Sequence, residues 1–354
     1  MIAVFLGTSA SRSAAQPPAP PQPADGPSIR VGATLYTDYT YTERPQVTDS
    51  DGNRYHPNQF NVTRSYLNLN GTLSRLVGFR ITPDVARETG SGSALNGSLT
   101  FRIKYAYAQL NLDDWLPQGS WARLGIQHTP LVEFQESIYR YRFQGTVFAE
   151  RDGYLSSSDG GASVRLSLPS DYGEIHGGIY NGETYARSES NDQKAWQLRG
   201  TVRPLAHWIP RLRGLRVTGF YDGDHVVKDA ERTRAIVEAT YEHRFVNAGF
   251  THLNATDQAS ISLPEIDAQG YSIWMTPKLP RGWEGLLRFD RLTPNTALNL
   301  RRRRNIAGVA YWPKLQGPVT TAVLFDVETV TATGAAAAAT PDLRRLAVHT
   351  LVQF

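Results

Sequence analysis

The sequence predicts an all-β fold: a 16-stranded antiparallel transmembrane β-barrel with short periplasmic turns and long extracellular loops. Three observations carry that prediction. From residue 29 onward apolar and polar residues alternate with period two, the mark of strands whose two faces meet different solvents. Turn signals cut the alternation into sixteen segments. The connections alternate short and long, so every second turn falls on the same rim, an asymmetry of transmembrane barrels. No stretch approaches the roughly 18 apolar residues of a membrane helix, and the mean hydropathy is −0.38.

The elements follow in order. Ile2 to Gly7 is a short apolar run, and Ser13-Ala14-Ala15 offers a small-x-small cleavage site. Residues 1–15 therefore read as the remnant of a secretory signal peptide. Residues 16–28, rich in Pro and Ala, read as a flexible lead-in that cannot pair in a sheet. The barrel occupies 29–354. In its first segment Ile29, Val31, Ala33, Leu35, Tyr39 and Tyr41 share one face, opposite Arg30, Gly32, Thr34, Tyr36 and Asp38. Further segments lie at about 60–73, 77–87, 101–112, 121–129, 161–168, 172–181, 194–203, 213–222, 232–242, 244–253, 268–277, 283–293, 303–313, 319–331 and 343–354. Trp196, Leu198 and Val202 against Gln197, Arg199 and Thr201 show the alternation well. So do Val323, Phe325 and Val327 against Ala322, Asp326 and Glu328. The fourth segment changes phase near Ala106, which predicts a bulge.

Closure is expected because a sheet in hydrocarbon must pair every backbone group. Trp115, Trp121, Trp208, Trp274, Trp283 and Trp312 fall in or near short turns, and only Trp196 does not. This predicts a tryptophan belt at one membrane interface. The final segment puts Leu346, Val348, Thr350, Val352 and Phe354 on one face. A terminal aromatic closing such a strand resembles the signal by which outer-membrane proteins are recognised for insertion.

A lipid-facing Arg or Lys at the midplane costs about 2–4 kcal/mol, so charges on the polar faces must meet water or one another. The pore-lining candidates are Arg64, Arg80, Arg102, Lys104, Arg123, Arg165, Arg199, Arg203, Arg216, Arg234 and Arg288. Asp84, Glu174, Glu238, Glu284, Asp290, Asp326 and Glu328 share those faces. Of 37 basic residues only five are lysines, and an arginine-lined pore favours anions. The longest connection, 130–160, follows the fifth segment and reads as a loop that narrows the pore, since loops this long are usually functional. Its candidates are Glu133, Glu136, Arg140, Arg142, Glu150, Arg151 and Asp152. Arg301 to Arg304 form a basic run that could attract anionic solutes or contact lipid phosphates, although such runs are commonly solvated faces.

Other function classes find little support. The net charge of +4 is dispersed, unlike a nucleic-acid surface. With no cysteine there is no disulfide or thiolate metal site. No Gly-x-Ser-x-Gly elbow or His-Glu-x-x-His motif occurs, so no catalytic residue, metal or cofactor is assigned. Asp49-Ser-Asp51-Gly52 reads as an ordinary turn rather than a calcium loop.

Leu124-Gly-Ile-Gln-His-Thr-Pro130, Phe148-Ala-Glu-Arg151 and Tyr180-Asn-Gly-Glu183 resemble segments of the phosphate-selective porin O and P family. The resemblance implies a sixteen-stranded, usually trimeric, bacterial outer-membrane channel. It would have an arginine ladder and pore lysines for phosphate or polyphosphate. The expected function is passive diffusion of small hydrophilic solutes with a modest anion preference, in contact with membrane lipid and lipopolysaccharide. A lipid-hydrolysing barrel and a plugged structural or receptor barrel are the alternatives.

Overall fold

The computed structural model describes residues 26–354 except 89, 91, 299 and 335–340. The expected signal-peptide remnant and most of the Pro-rich lead-in lie outside the described residues. The barrel strands are β1 Ser28–Arg44, β2 Asn58–Thr72, β3 Val77–Arg87, β4 Leu99–Asn111, β5 Trp121–His128, β6 Ser158–Ser167, β7 Gly173–Tyr180 and β8 Ala195–Val202. They continue as β9 Leu215–Asp224, β10 Arg232–Glu242, β11 Val246–Asp257, β12 Ile266–Pro277, β13 Trp283–Asn295, β14 Leu300–Tyr311, β15 Thr320–Thr333 and β16 Leu343–Gln353. Each strand pairs antiparallel with its sequence neighbours, and β1 closes the barrel on β16 through Thr34↔Gln353 to Thr42↔Arg345. Phe354 completes the seam by exchanging backbone hydrogen bonds with Ala33 at 3.1 and 3.2 Å.

All sixteen predicted segments are strands, with boundaries displaced by at most four residues, as at β11. The β4 bulge lies at Lys104, where Thr82 pairs with Tyr105 but Pro83 pairs with Ile103. Turn chemistry explains the sequence at 49–53. The Asp49 carboxylate accepts from the amides of Asp51 and Asn53 at 3.0 and 2.8 Å, closing the tip of a small hairpin, Val47–Thr48 with Arg54–Tyr55.

Val217, Val237, Ile273, Leu287, Val309, Val323, Phe325 and Val352 all stand exposed on the outer face. Each would be driven out of water by about 25 cal/mol per Å² of apolar area, so this face is built for hydrocarbon. Aromatic pairs flank the aliphatic band at both ends. Trp283 and Tyr311 (centroids 5.0 Å apart) sit at the short-turn end; Tyr39 with Phe60 (4.7 Å) and Trp196 with Tyr221 (4.8 Å) sit at the other.

Two expectations need correction. Strict short–long alternation fails: 203–214 on the short-turn rim is longer than 296–299 on the opposite rim. The tryptophan belt is only half present. Trp115, Trp208 and Trp283 are exposed, but Trp121, Trp274 and Trp312 are buried against interior residues. Strand phase explains the first two: Trp121 and Trp274 lie on the inward phase of β5 and β12. Proximity to a turn does not set the direction of a side chain.

Candidate functional site

The lumen is organised by the long connection, here residues 129–157, which folds into the barrel. It contains α1 (Pro130–Ile138) and α2 (Phe148–Arg151). Thr129 is the N-cap of α1 and Pro130 opens the helix, where a missing N–H costs nothing. Leu131, Phe134 and Ile138 recur at helical spacing and are buried, so α1 presents an apolar stripe. The chain bends back through Tyr139, Tyr141 and Phe143, all buried. Arg142 then joins the two halves of the loop, pairing with Glu136 at 2.6 Å and Glu150 at 3.2 Å.

The inner wall receiving this loop is apolar as well as charged. Phe220, Ile236, Leu253, Leu286, Ile306 and Leu324 are buried with the loop's Leu131, Val132, Tyr139 and Phe148 in one cluster. Tyr139 packs edge-on to Trp274 at 5.0 Å; Tyr141 and Phe143 pack edge-on to Trp312, each at 5.7 Å. Gly270 makes room for Phe148, since a Cβ there would stand 2.8 Å from the ring. The inner wall thus carries apolar residues among its charges. Leu286 and Leu324 sit on the same phase as Arg288 and Asp326, because what they face is the loop.

Ion pairs and hydrogen bonds latch the loop around this cluster. Arg123 donates to Glu133 at 2.9 Å. Gln135 donates to Glu238 at 3.2 Å, and Arg288 to the Thr146 carbonyl at 2.8 Å. Arg140 pairs with Glu284, which also accepts from the Tyr141 hydroxyl at 3.0 Å. Arg151 reaches Glu328 at 2.8 Å, where Arg304 and Arg345 converge. Asp152 holds Arg302 and Arg304, and Arg234 donates to the Tyr154 carbonyl at 3.1 Å. Burial alone would raise Glu133, but Arg123, with His128 and His176 nearby, holds it well below the ordinary carboxylate range. Burial wins at Glu136, whose pKa is raised despite Arg142.

Away from the loop, β2–β4 carry a second constellation. Arg64 and Arg102 share Asp84 at 2.6 and 3.6 Å. Arg80 donates to Asn68 at 2.9 Å and lies over the Tyr105 ring. Lys104 is buried between Tyr66 and Tyr105.

The eleven wall candidates therefore divide. Arg64, Arg80 and Arg102 stay partly exposed, and Lys104 lies buried beside them. Arg123, Arg199, Arg234 and Arg288 lie under or against the loop, Arg199 with its guanidinium over Phe134 at 4.7 Å. Arg165, Arg203 and Arg216 stand toward the short-turn end, paired with Glu174, Asp171 and Glu242. The loop candidates Glu133, Arg140, Arg151 and Asp152 are latches; Glu136, Arg142 and Glu150 form the internal bracket. Missed by the sequence reading were the tyrosines Tyr36, Tyr66 and Tyr105, the buried Trp274 and Trp312, and Arg345. Phase identifies Tyr36, which shares the inward face of Asp38.

At Asp84, Glu284, Asp152 and Glu328 the arginine is the accessible partner, whereas in Arg199–Glu174 (2% against 24%), Arg203–Asp171 (22% against 69%) and Arg234–Asp257 (2% against 40%) the acid is. Side-chain exposure is 25% and 36% for Arg64 and Arg102 against 0% for Asp84. It is 32% for Arg140 against 6% for Glu284, 33% for Arg302 against 3% for Asp152, and 26% for Arg345 against 2% for Glu328.

A closed sixteen-stranded barrel with an oily exterior and a loop folded into its lumen is the architecture of bacterial outer-membrane porins. Solved structures agree in fold. The chain is similar to the anion-selective porin from Comamonas acidovorans (TM-score 0.65, 12% identity, 93% of this chain and 100% of that one). It is also similar to the trimer form of OmpT, an outer membrane protein of Vibrio cholerae (0.60, 14%, 93% and 100%). A third is the outer membrane channel DcaP of Acinetobacter baumannii (0.56, 13%, 94% and 98%). No protein-family model matches the chain, and no curated protein matches it in sequence.

Proposed function

We propose that this barrel is a passive diffusion channel of the bacterial outer membrane for small hydrophilic solutes, with a modest preference for anions. The observation carrying the proposal is the exposure of arginine in front of four buried acids, Asp84, Asp152, Glu284 and Glu328. At these four positions the guanidiniums stand in front, so a solute passing them meets positive charge first. A charged wall in a low-dielectric tube focuses its field on the water path. The path runs between the folded-in loop and the wall of β2–β4. The likeness to an anion-selective porin and the resemblance to phosphate-selective porins support anions, phosphate-type anions included. The trimeric neighbour supports a homotrimer.

One observation favours a more closed barrel: Phe143 bridges from Trp312 to Tyr36, with centroids 5.7 and 6.4 Å away, so the loop fills much of the cross-section. A hydrolase is less well supported. Ser163, His176 and Glu133 are aligned as a triad would be (3.3 and 3.9 Å), but the Ser163 hydroxyl donates to Gln127 at 2.6 Å. Ser163 and His176 are also buried, out of reach of substrate. Purified protein in a planar bilayer under a KCl gradient tests the proposal. A reversal potential favouring chloride is expected. Cation selectivity would refute the exposed-arginine argument, and silence would favour the closed barrel.

A further inference from the structure

The four arginines 301–304 are divided by strand phase. Arg302 and Arg304 turn inward onto Asp152. Arg301 and Arg303 turn outward and are exposed. Arg291 also faces out, directly opposite Arg303 in the β13–β14 ladder. Among the described residues none of these three has an acidic partner. Another outward arginine, Arg344, is paired with Glu43 at 3.1 Å. Like charges directly opposite on neighbouring strands repel, so the trio is incomplete as built.

Its height on the barrel indicates what completes it. Tyr311, at the short-turn end of β14, packs on Trp283. Arg303 lies eight residues further along the strand, ~20 Å higher at about 3.3 Å per residue and a tilt of about 40°. The apolar band of such a barrel is ≈ 25 Å tall, so Arg303 stands at its outer edge. Phe250, Tyr271 and Phe289 form a row of outward rings (6.4 and 5.9 Å between centroids), and Tyr271 is paired in register with Arg291. Aromatic rings mark the membrane interface. The guanidiniums therefore lie at the level of the outer-leaflet headgroups, where their forked donors match phosphate oxygens.

We propose that Arg291, Arg301 and Arg303 bind the phosphates of a phosphorylated outer-leaflet glycolipid. Beside them the outer face of β10–β12 forms a depression of about 340 Å³ lined by Thr233, Asn254, Thr256, Asp267 and Gln269. Hydroxyls, amides and a carboxylate on a lipid-facing surface suit the sugar of the same headgroup. This site is outside the barrel and does not depend on the channel reading.

The test uses the whole protein folded in neutral detergent. The probes are bisphosphorylated lipid A, the same lipid stripped of phosphate, and inorganic phosphate. Native mass spectrometry and melting temperature are the readouts. Lipid A should remain bound and raise the melting temperature. Arg291→Gln with Arg303→Gln should weaken binding ~5-fold per guanidinium removed, while Arg344→Gln should not. Without lipid, the double variant should melt no lower than the parent, because only repulsion has been removed. Equal binding of the stripped lipid to the unaltered protein would overturn the site, and so would full retention by the double variant. A matching shift from inorganic phosphate alone would show a free-anion site and overturn the lipid assignment.

Discussion

The inner wall of β8–β15 and that of β2–β4 have the same alternation in sequence but different fates in the lumen. On β10–β15, Ile236, Glu238, Leu253, Leu286, Arg288 and Leu324 are all buried. They are covered by the folded-in loop, and their charges are spent on fixing it. On β2–β4, Arg64, Asn68, Arg80 and Arg102 remain partly open, with Asp84 hidden behind them. The comparison teaches that an inward charge in such a barrel is not automatically a pore charge. Its role depends on whether water or protein lies in front of it.

The largest expected effect is on the covered wall. Glu328 receives Arg151, Arg304 and Arg345. Glu328→Ala would leave three guanidiniums facing one another in a site with little water. Breaking a buried pair in this way costs about 3–5 kcal/mol, and the partial exposure of the arginines puts the expected loss at the lower end. Denaturant unfolding in detergent micelles would measure it. A change below about 0.5 kcal/mol, the range of ordinary surface substitutions, would mean that the latch contributes nothing.

A smaller effect, in selectivity, separates the two loop carboxylates by pH. Glu136 has a raised pKa, so it loses its negative charge at a higher pH than a free carboxylate would. Glu133 has a depressed pKa. Its contribution to seating the loop is present above the unfolded value and is lost only as pH falls through the lower folded value. Acidification from neutral should therefore make the lumen more positive while the Glu133 latch holds. Anion preference should rise as the pH falls, and Glu136→Gln should remove that rise. An unchanged pH profile in the variant would place the titrating group elsewhere.

Much of the fold was legible in sequence because strand phase is a local property. The face assignments of β8, β13 and β15, the β4 bulge and the outward course of Leu346 to Phe354 all follow from alternation. The lumen was less legible because its partner is remote in sequence. Nothing near Leu286 or Leu324 says that α1 and Phe148 will cover them. The only local sign is an apolar residue on an otherwise polar phase. Trp274 and Trp312 illustrate the same limit: their places near turns suggested lipid, whereas their partners Tyr139 and Tyr141 lie more than 130 residues earlier. The run Arg301–Arg304 looked like one feature, yet period two sends half of it to the loop and half to the membrane.

The chain contains no cysteine, so a single introduced thiol reports on water access without background. Arg102→Cys on the open wall and Ile236→Cys beneath the loop, each treated with a small charged thiol reagent during bilayer recording, test the divided lumen most directly. Rapid modification and altered current at position 102, with no reaction at 236, is the expected result. Equal reactivity at the two positions, or reaction at 236 alone, would contradict it.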